Sequence, residues 1–277
     1  MKSKRLAKWL SSAVLMLAAG TALAAEKPIV FAVAAEPYPP FTVKGGNGEW
    51  TGFEVDLIHK LCGLMKAECQ IKEVAWDGII PSLLAKKIDV IFSSMSVTEE
   101  REKQIAFSRA YYDSLLGIAG PKGTTVEVSP AGLKGKIIGV QISTVSANYL
   151  KKYYEKIADL KYYDTQESAN ADLIAGRTDL MMADGVAIAM MVKTPEAQGL
   201  AEIAEVPYDP IIGRGVGAGL RKEDTELKAR LDKAIGELLV SKDYADLSQS
   251  VFGVSVSPCK RADTPAYVSK VCDSPYP

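Results

Sequence analysis

The 277-residue chain has a single histidine, His59, and only four cysteines. The cysteines form two close pairs, Cys62 with Cys69 and Cys259 with Cys272, and neither spacing is the C-x-x-C of a zinc site. We therefore expect no metal site and no cofactor. We predict that each pair forms a disulfide, as in exported proteins, although other pairings are possible. The net charge of −1 gives no electrostatic case for nucleic-acid binding.

Long apolar runs are also scarce. One run, Trp9–Ala19, follows four basic residues and precedes the small-residue stretch Ala22–Ala25. This pattern predicts a cleaved secretory signal peptide over residues 1–25, with an uncleaved anchor as the other interpretation. The run is shorter than the roughly 20 residues that span a bilayer. No cysteine stands where a lipoprotein would be cleaved. We expect a soluble periplasmic protein without a lipid anchor.

From Pro28 onward, short apolar runs alternate with amphipathic stretches, which predicts α/β units with largely parallel sheets. The form of Ser96–Glu99 is that of a capping box, so a helix is expected to begin there. The other predicted elements are strands at Ile29–Ala34, Ile88–Phe92, Lys136–Gln141 and Leu180–Ala183, and helices at Phe53–Lys66, Gly78–Lys86, Ser143–Tyr154, Ala169–Gly176 and Glu223–Ser241.

These elements are expected to form two α/β units of similar size. The chain is expected to cross from one unit to the other near Ser114 and to return near Gly213, where three glycines suit a hinge. The predicted organisation is a discontinuous lobe 1, from residues 26–113 and 214–277, and a lobe 2 from residues 114–213.

Several short motifs recur in order along the chain: Tyr38–Phe41, Gly52–Leu57 with Leu61 and Cys62, Ile80–Leu83, Lys87–Val90, Ser93–Ser96 with Thr98 and Arg101, and Gly219–Lys222. In these motifs the chain resembles one known family, the family 3 bacterial extracellular solute-binding proteins that bind polar amino acids. The spacing of Cys62 and Cys69 also resembles the disulfide of the histidine-binding and lysine/arginine/ornithine-binding members.

The resemblance implies a type II periplasmic binding protein fold, in which two α/β lobes are joined by two hinge strands and the ligand lies between them. It also implies the permease of an ABC transporter as the partner, and we expect a monomer. The predicted function is binding without catalysis, so no catalytic residue is assigned.

An amino acid ligand carries a carboxylate and an ammonium group on one carbon, so its site needs a fixed cation and a fixed anion. The resemblance assigns these roles to Arg101 and Asp184. The planar fork of an arginine can hold a carboxylate with two hydrogen bonds. Taken alone, Arg101 is equally well a solvated helix charge, and Asp184 a cap of the following helix.

Other cleft residues are implied in the same way. In the first lobe, Ser93, Ser94 and Ser96 are expected at the ligand, with Ser96 offering an amide and a hydroxyl. In the second lobe, Ser143 and Thr144 open a helix where family members usually have a Gly-Thr pair. Because Ser143 replaces that glycine, Thr144 is the more dependable of the two.

Tyr38 and Trp76 match the two aromatic positions that sandwich the ligand side chain in the basic amino acid binders, although both types of residue are also common in protein cores. Aromatic faces favour flat or cationic groups. Glu36 is the candidate partner of a positively charged ligand tail. We expect arginine, ornithine, lysine, histidine or an opine, with glutamine or another neutral polar amino acid as the alternative.

Two further functions stay open at this point. One is a periplasmic cyclohexadienyl dehydratase, an enzyme that shares this fold and would use an acid in the cleft. The other is a sensor that passes the ligand-bound form to a separate receptor. No nucleophile with a neighbouring base is evident in the sequence.

Overall fold

The computed structural model describes residues 27–258, so the predicted signal peptide and the Cys259–Cys272 pair lie outside the described residues. The strands are β1 (Ile29–Ala34), β2 (Val43–Lys44), β3 (Trp50–Thr51), β4 (Cys69–Val74), β5 (Val90–Ile91), β6 (Ala106–Tyr112), β7 (Leu116–Pro121), β8 (Ile137–Gln141), β9 (Asp159–Tyr163), β10 (Leu180–Asp184), β11 (Leu200–Glu205) and β12 (Val216–Leu220). The helices are α1 (Phe53–Met65), α2 (Ile79–Leu84), α3 (Glu99–Glu102), α4 (Pro130–Leu133), α5 (Val145–Tyr154), α6 (Gln166–Ile174), α7 (Gly185–Met191), α8 (Thr225–Leu239) and α9 (Lys242–Phe252).

The strands form two five-stranded sheets and the small β2–β3 hairpin. The first sheet has the order β4-β1-β5-β12-β6, with β4, β1 and β5 parallel and β12 antiparallel to both of its neighbours. The second has the order β11-β7-β10-β8-β9, with β10, β8 and β9 parallel and β7 antiparallel to its neighbours. Both sheets carry separate apolar cores, so each can be treated as one lobe.

The chain leaves the first sheet after Tyr112, enters the second at Leu116, and returns between Glu205 and Val216. We call the elements around the first sheet the first lobe and those around the second sheet the second lobe; the residue limits predicted from the sequence remain a prediction. A residue near the end of the described chain holds the first connection, because the backbone N–H of Asp113 donates to the carbonyl of Val256 at 3.1 Å.

Helix α1 shows how the sequence produces the first lobe. Its buried residues include Leu57, Ile58 and Leu61, which recur at helical spacing and face the core, as the amphipathic pattern predicted. At its end, Lys66 adopts a left-handed conformation and turns the chain into β4. The predicted disulfide between Cys62 and Cys69 is present and joins the helix to this strand.

Four predicted helix starts are displaced by two or three residues, among them that of α8, which begins at Thr225 rather than Glu223. Ser96 pairs with Val216 in an extended bridge and cannot begin a helix; Thr98 caps α3 instead, with its hydroxyl accepting from the backbone N–H of Arg101 at 3.2 Å. Helix α5 begins at Val145 rather than Ser143, since Thr144 is its N-cap. The start of α6 lies three residues before the predicted one, because Thr165 provides the cap.

Between residues 27 and 258, no helix has the length and apolar character that crossing a bilayer requires.

Candidate functional site

A cleft lies between the two lobes, at the carboxyl ends of strands from both sheets, where open α/β sheets commonly bind ligands. Nine of the ten residues predicted for the site line it: Glu36, Tyr38, Trp76, Ser93, Ser94, Ser96, Arg101, Thr144 and Asp184. The exception is Ser143, which is not among the lining residues. The fold therefore brings together side chains that are far apart in the sequence.

Arg101 projects from the short helix α3 into this cleft. Its guanidinium donates through Nη1 to the carbonyl of Ser96 at 2.9 Å, and through Nη2 to the carbonyl of Ser143 in the second lobe at 3.1 Å. It forms no ion pair with any residue that the structure describes. Burial lowers the pKa of Arg101 to about 10, so the group is charged at neutral pH. An uncompensated cation of this kind favours an anionic group in the cleft.

Glu54 shapes the neighbouring serine loop. Its carboxylate is fully buried and accepts hydrogen bonds from the N–H of Ser94 at 2.6 Å and from the hydroxyl of Tyr111. Ser94 has a left-handed backbone (φ 49°), and its buried hydroxyl lies beside the Glu54 carboxylate. The side chain of Ser93 has a structural role, because its hydroxyl accepts a hydrogen bond from the N–H of Ala34 and so links the end of β5 to β1. Burial raises the pKa of Glu54 to about 7.

The second lobe contributes the start of α5. The hydroxyl of Thr144 donates to the carbonyl of Gln141 at 2.8 Å and accepts from the N–H of Ala147 at 3.1 Å, so it acts as the helix cap. The N–H groups of Val145 and Ser146 are the first two of the helix, and such groups have no partner within it. Both residues line the cleft. This end of the second lobe can therefore receive an anion.

Asp184 ends β10 and caps α7, which combines both roles considered from the sequence. Its Oδ1 accepts from the hydroxyl of Ser114 at 2.9 Å and from the N–H groups of Val186 at 2.9 Å and Ala187 at 3.2 Å. Because all three bonds reach Oδ1, helix capping does not occupy Oδ2. Burial raises the pKa of Asp184 to about 6, against the opposing effect of these hydrogen bonds.

The two aromatic residues each have one face covered by protein. The ring of Tyr38 stacks on Phe41 with a centroid distance of 5.5 Å, and the guanidinium of Arg101 lies 5.6 Å from the centroid of the Trp76 ring. A ligand side chain can contact only the opposite faces. Glu36 accepts a hydrogen bond from the backbone N–H of Trp76 at 3.2 Å.

Sequence reasoning missed several residues that line the cleft, among them Asp113, Gln141, Gln166 and Tyr208. Asp113 adds a carboxylate next to the first connection between the lobes, and burial raises its pKa to about 6. Its position beside Ser114, where the chain was expected to cross, was the one available signal. Among residues 27–258, no group of three or more histidine, cysteine, aspartate or glutamate side chains is arranged to hold a metal ion.

The model of one protein family, the bacterial extracellular solute-binding proteins, family 3, matches residues 29–254. The chain belongs to this family. It is 34% identical to the L-arginine-binding protein of Pseudomonas aeruginosa in an alignment of 236 residues that covers 84% of this chain and 91% of that protein. It is 36% identical to the octopine-binding periplasmic protein of Rhizobium meliloti in an alignment of 245 residues that covers 80% of this chain and 83% of that protein.

Among solved structures, an ancestral arginine-binding protein bound to arginine matches this member of family 3 with a TM-score of 0.74 and 30% identity, over 82% of this chain and 98% of that one. The two sheets and the cleft between them thus form a type II periplasmic binding protein fold, as the motifs predicted. The same motifs also identified the family.

Proposed function

We propose that this chain is the periplasmic substrate-binding component of an amino acid ABC transporter, and that it binds a cationic amino acid or a derivative of one in the interlobe cleft. The observation that carries the proposal is that Arg101, a cation without an ionic partner among the described residues, and the carboxylate of Asp184 line the same cleft from different lobes. One cation and one anion, fixed on opposite lobes, suit the carboxylate and the ammonium group of an α-amino acid.

The carboxylate of the ligand is assigned to Arg101 and the amides at the start of α5. Arg101 already reaches the second lobe through the carbonyl of Ser143. A carboxylate placed between this guanidinium and the N–H groups of Val145 and Ser146 would receive hydrogen bonds from both lobes. Ser94 also lines the cleft, and its hydroxyl is a further candidate donor. Such a ligand stabilises the closed arrangement through contacts that exist only there.

The ammonium group is assigned to Asp184, whose Oδ2 is not used to cap α7. This carboxylate is half-buried, so a cation beside it would be strongly favoured over water. Binding should therefore lower the pKa of Asp184 from about 6 and release a proton in mildly acidic solution.

The excess of carboxylates supports a positively charged side chain. Glu36, Asp113 and Asp184 line the cleft, whereas Arg101 is the one lysine or arginine that lines it between residues 27 and 258. After Arg101 and Asp184 have bound the ligand backbone, Glu36 and Asp113 remain to attract a distal cation. Acidic amino acids would meet like charges there, and neutral ones such as glutamine would leave these carboxylates unpaired.

The remaining parts of the proposal follow from the family. Solute-binding proteins of ABC transporters deliver their ligand to a membrane permease, and we propose the same partner here, with the chain acting as a monomer. Export to the periplasm depends on the signal peptide predicted over residues 1–25. The proposal assigns no catalytic step; formation of an aromatic product from prephenate would contradict it.

The direct test is calorimetric titration of ligand-free protein, prepared by unfolding and refolding with its disulfides intact. The panel contains arginine, lysine, ornithine, histidine, octopine, glutamine and glutamate. We expect tight one-to-one binding of at least one cationic member. Binding of only neutral or acidic members would keep the class of protein and refute the assignment of Glu36, Tyr38 and Trp76.

A matched pair of variants tests the carboxylate anchor. Arg101→Lys keeps the charge but removes the planar fork, and we expect affinity to fall by about tenfold or more. Arg177→Lys is the control, since Arg177 is exposed and pairs with Asp172 on the outside of the second lobe. Equal affinities for the two variants would contradict the role given to Arg101.

A further inference from the structure

A second cavity of about 550 Å³ adjoins the cleft. One wall is the Pro37–Pro40 loop of the first lobe, and the other is formed by α6 and α7 of the second lobe. Pro37, Tyr38, Gln166 and Ala183 line both cavities and therefore form the boundary between them. We call this second cavity the chamber. It lies directly beside the proposed amino acid site.

The boundary lies beside the group assigned to the ligand ammonium. Ala183 immediately precedes Asp184, and Ala187, whose N–H donates to Asp184, lines the chamber. Tyr38 belongs to both cavities, and after burial the nearby charge of Asp184 is the largest influence that raises the pKa of its hydroxyl. The α-nitrogen of a bound amino acid would thus stand at the entrance of the chamber.

The lining of the chamber is largely apolar. Its second-lobe wall includes Ile174, Met181, Ile188, Met190 and Met191. Methionine side chains adapt to ligand groups of different shape. Such a wall favours an apolar occupant.

The charged residues of the chamber disfavour a carboxylate as its occupant. Glu167 and Glu196 line it, and no lysine or arginine is among the lining residues that the structure describes. A carboxylate would find no cation there and would be repelled by both glutamates. An apolar group would meet neither problem.

We propose that the chamber receives an apolar substituent on the α-nitrogen of the ligand, so that the protein binds Nα-alkyl derivatives of a cationic amino acid. The inference rests on the proposed function, because it takes Asp184 as the ammonium site. A secondary amine keeps its positive charge and still has N–H groups to donate to Asp184. Each methylene buried in the chamber adds about fourfold in affinity.

The test titrates ligand-free protein with L-arginine, Nα-methyl-L-arginine, Nα-propyl-L-arginine and octopine, whose Nα substituent carries a carboxylate. We expect the propyl derivative to bind about tenfold or more tightly than the methyl derivative, because it buries two further methylenes, and octopine to bind about tenfold or more weakly than the propyl derivative. Loss of binding on Nα-propylation, with arginine still bound, overturns the inference but leaves the proposed function intact. Octopine binding more tightly than the propyl derivative overturns it too.

A chamber variant separates this site from the cleft. Ala171 lies on the exposed side of α6 and lines only the chamber, so Ala171→Trp should reduce affinity for Nα-propyl-L-arginine about tenfold without changing that for L-arginine. Ala131→Trp, at an exposed position of α4 away from both cavities, is the control. Equal loss for both ligands, or no loss for either, contradicts the placement of the substituent. If no cationic amino acid binds at all, the proposed function itself is wrong and this inference falls with it.

Discussion

Replacing Glu54 with glutamine is expected to make the stability of the ligand-free protein less sensitive to pH. The Glu54 carboxyl is fully buried, and its pKa rises from an ordinary 4.5 to about 7 in the folded chain. A carboxyl with a raised pKa holds its proton more tightly when folded. Its contribution to stability is therefore complete below pH 4.5 and is lost as the pH rises through 7.

The size of the effect follows from the two pKa values. Between pH 5 and pH 8, ionisation of Glu54 should remove about 2.5 kcal/mol from the free energy of unfolding of the wild type. Glu54→Gln retains an oxygen that can accept from Ser94 and Tyr111 but cannot ionise. The difference in stability between variant and wild type should consequently shift by this amount in favour of the variant as the pH rises.

Urea unfolding of both proteins at pH 5, 6, 7 and 8, followed by circular dichroism, measures this difference directly. Other titrating groups are common to both proteins and cancel in the comparison. Glu223→Gln, at an exposed position, is the control and should follow the wild type at every pH. A constant difference between Glu54→Gln and the wild type across this range would refute the explanation.

Three further predictions concern binding and the disulfide. Asp184→Asn keeps a side-chain oxygen that can cap α7, so thermal unfolding should change little while calorimetric affinity for a cationic ligand falls about tenfold or more; unchanged affinity would remove Asp184 from the site. Asp113 and Asp184 have pKa values of about 6, and each carboxyl has to lose its proton to attract a cationic ligand. Affinity should therefore decrease about tenfold for each group between pH 7 and pH 5, and the proton released on binding should make the binding enthalpy depend on the buffer. A pH-independent affinity would contradict this. Replacing Cys62 and Cys69 by serine opens a short loop and should cost about 2 kcal/mol of stability in urea unfolding without changing affinity; unchanged stability would contradict it.

Local patterns were sufficient for β1 and α1. Strand Ile29–Ala34 is a short apolar run that is buried along most of its length, and α1 has a continuous apolar face. In such elements, periodicity and burial agree, so the sequence alone predicts them. The start of α3 was different, because Ser96 and Thr98 are both acceptable caps. Pairing of Ser96 with Val216, far along the chain, decides between them.

The site residues likewise divide into those that sequence motifs predict and those that only the tertiary structure brings to the cleft. Arg101 and Asp184 were predicted because motifs of a known family mark them, whereas their contacts with Ser143 and Ser114 depend on how the lobes meet. Asp113 and Gln141 have no local pattern that sets them apart, and only the course of the chain brings them to the cleft. The partial covering of Trp76 by Arg101 likewise arises from tertiary packing.

The hydrogen bond between Asp113 and Val256 has a practical consequence for shortened or labelled forms of the protein. The family match stops at residue 254, but Val256 is 2% exposed, donates its N–H to Ser248 at 2.9 Å and holds the first connection between the lobes. A protein that ends at residue 254 would lose the hydrogen bond between Asp113 and Val256. Ser257, the next residue, lies beside this connection between the lobes. Under the proposed function the lobes close on the ligand, so a dye attached at Ser257 would serve as an optical biosensor of ligand capture.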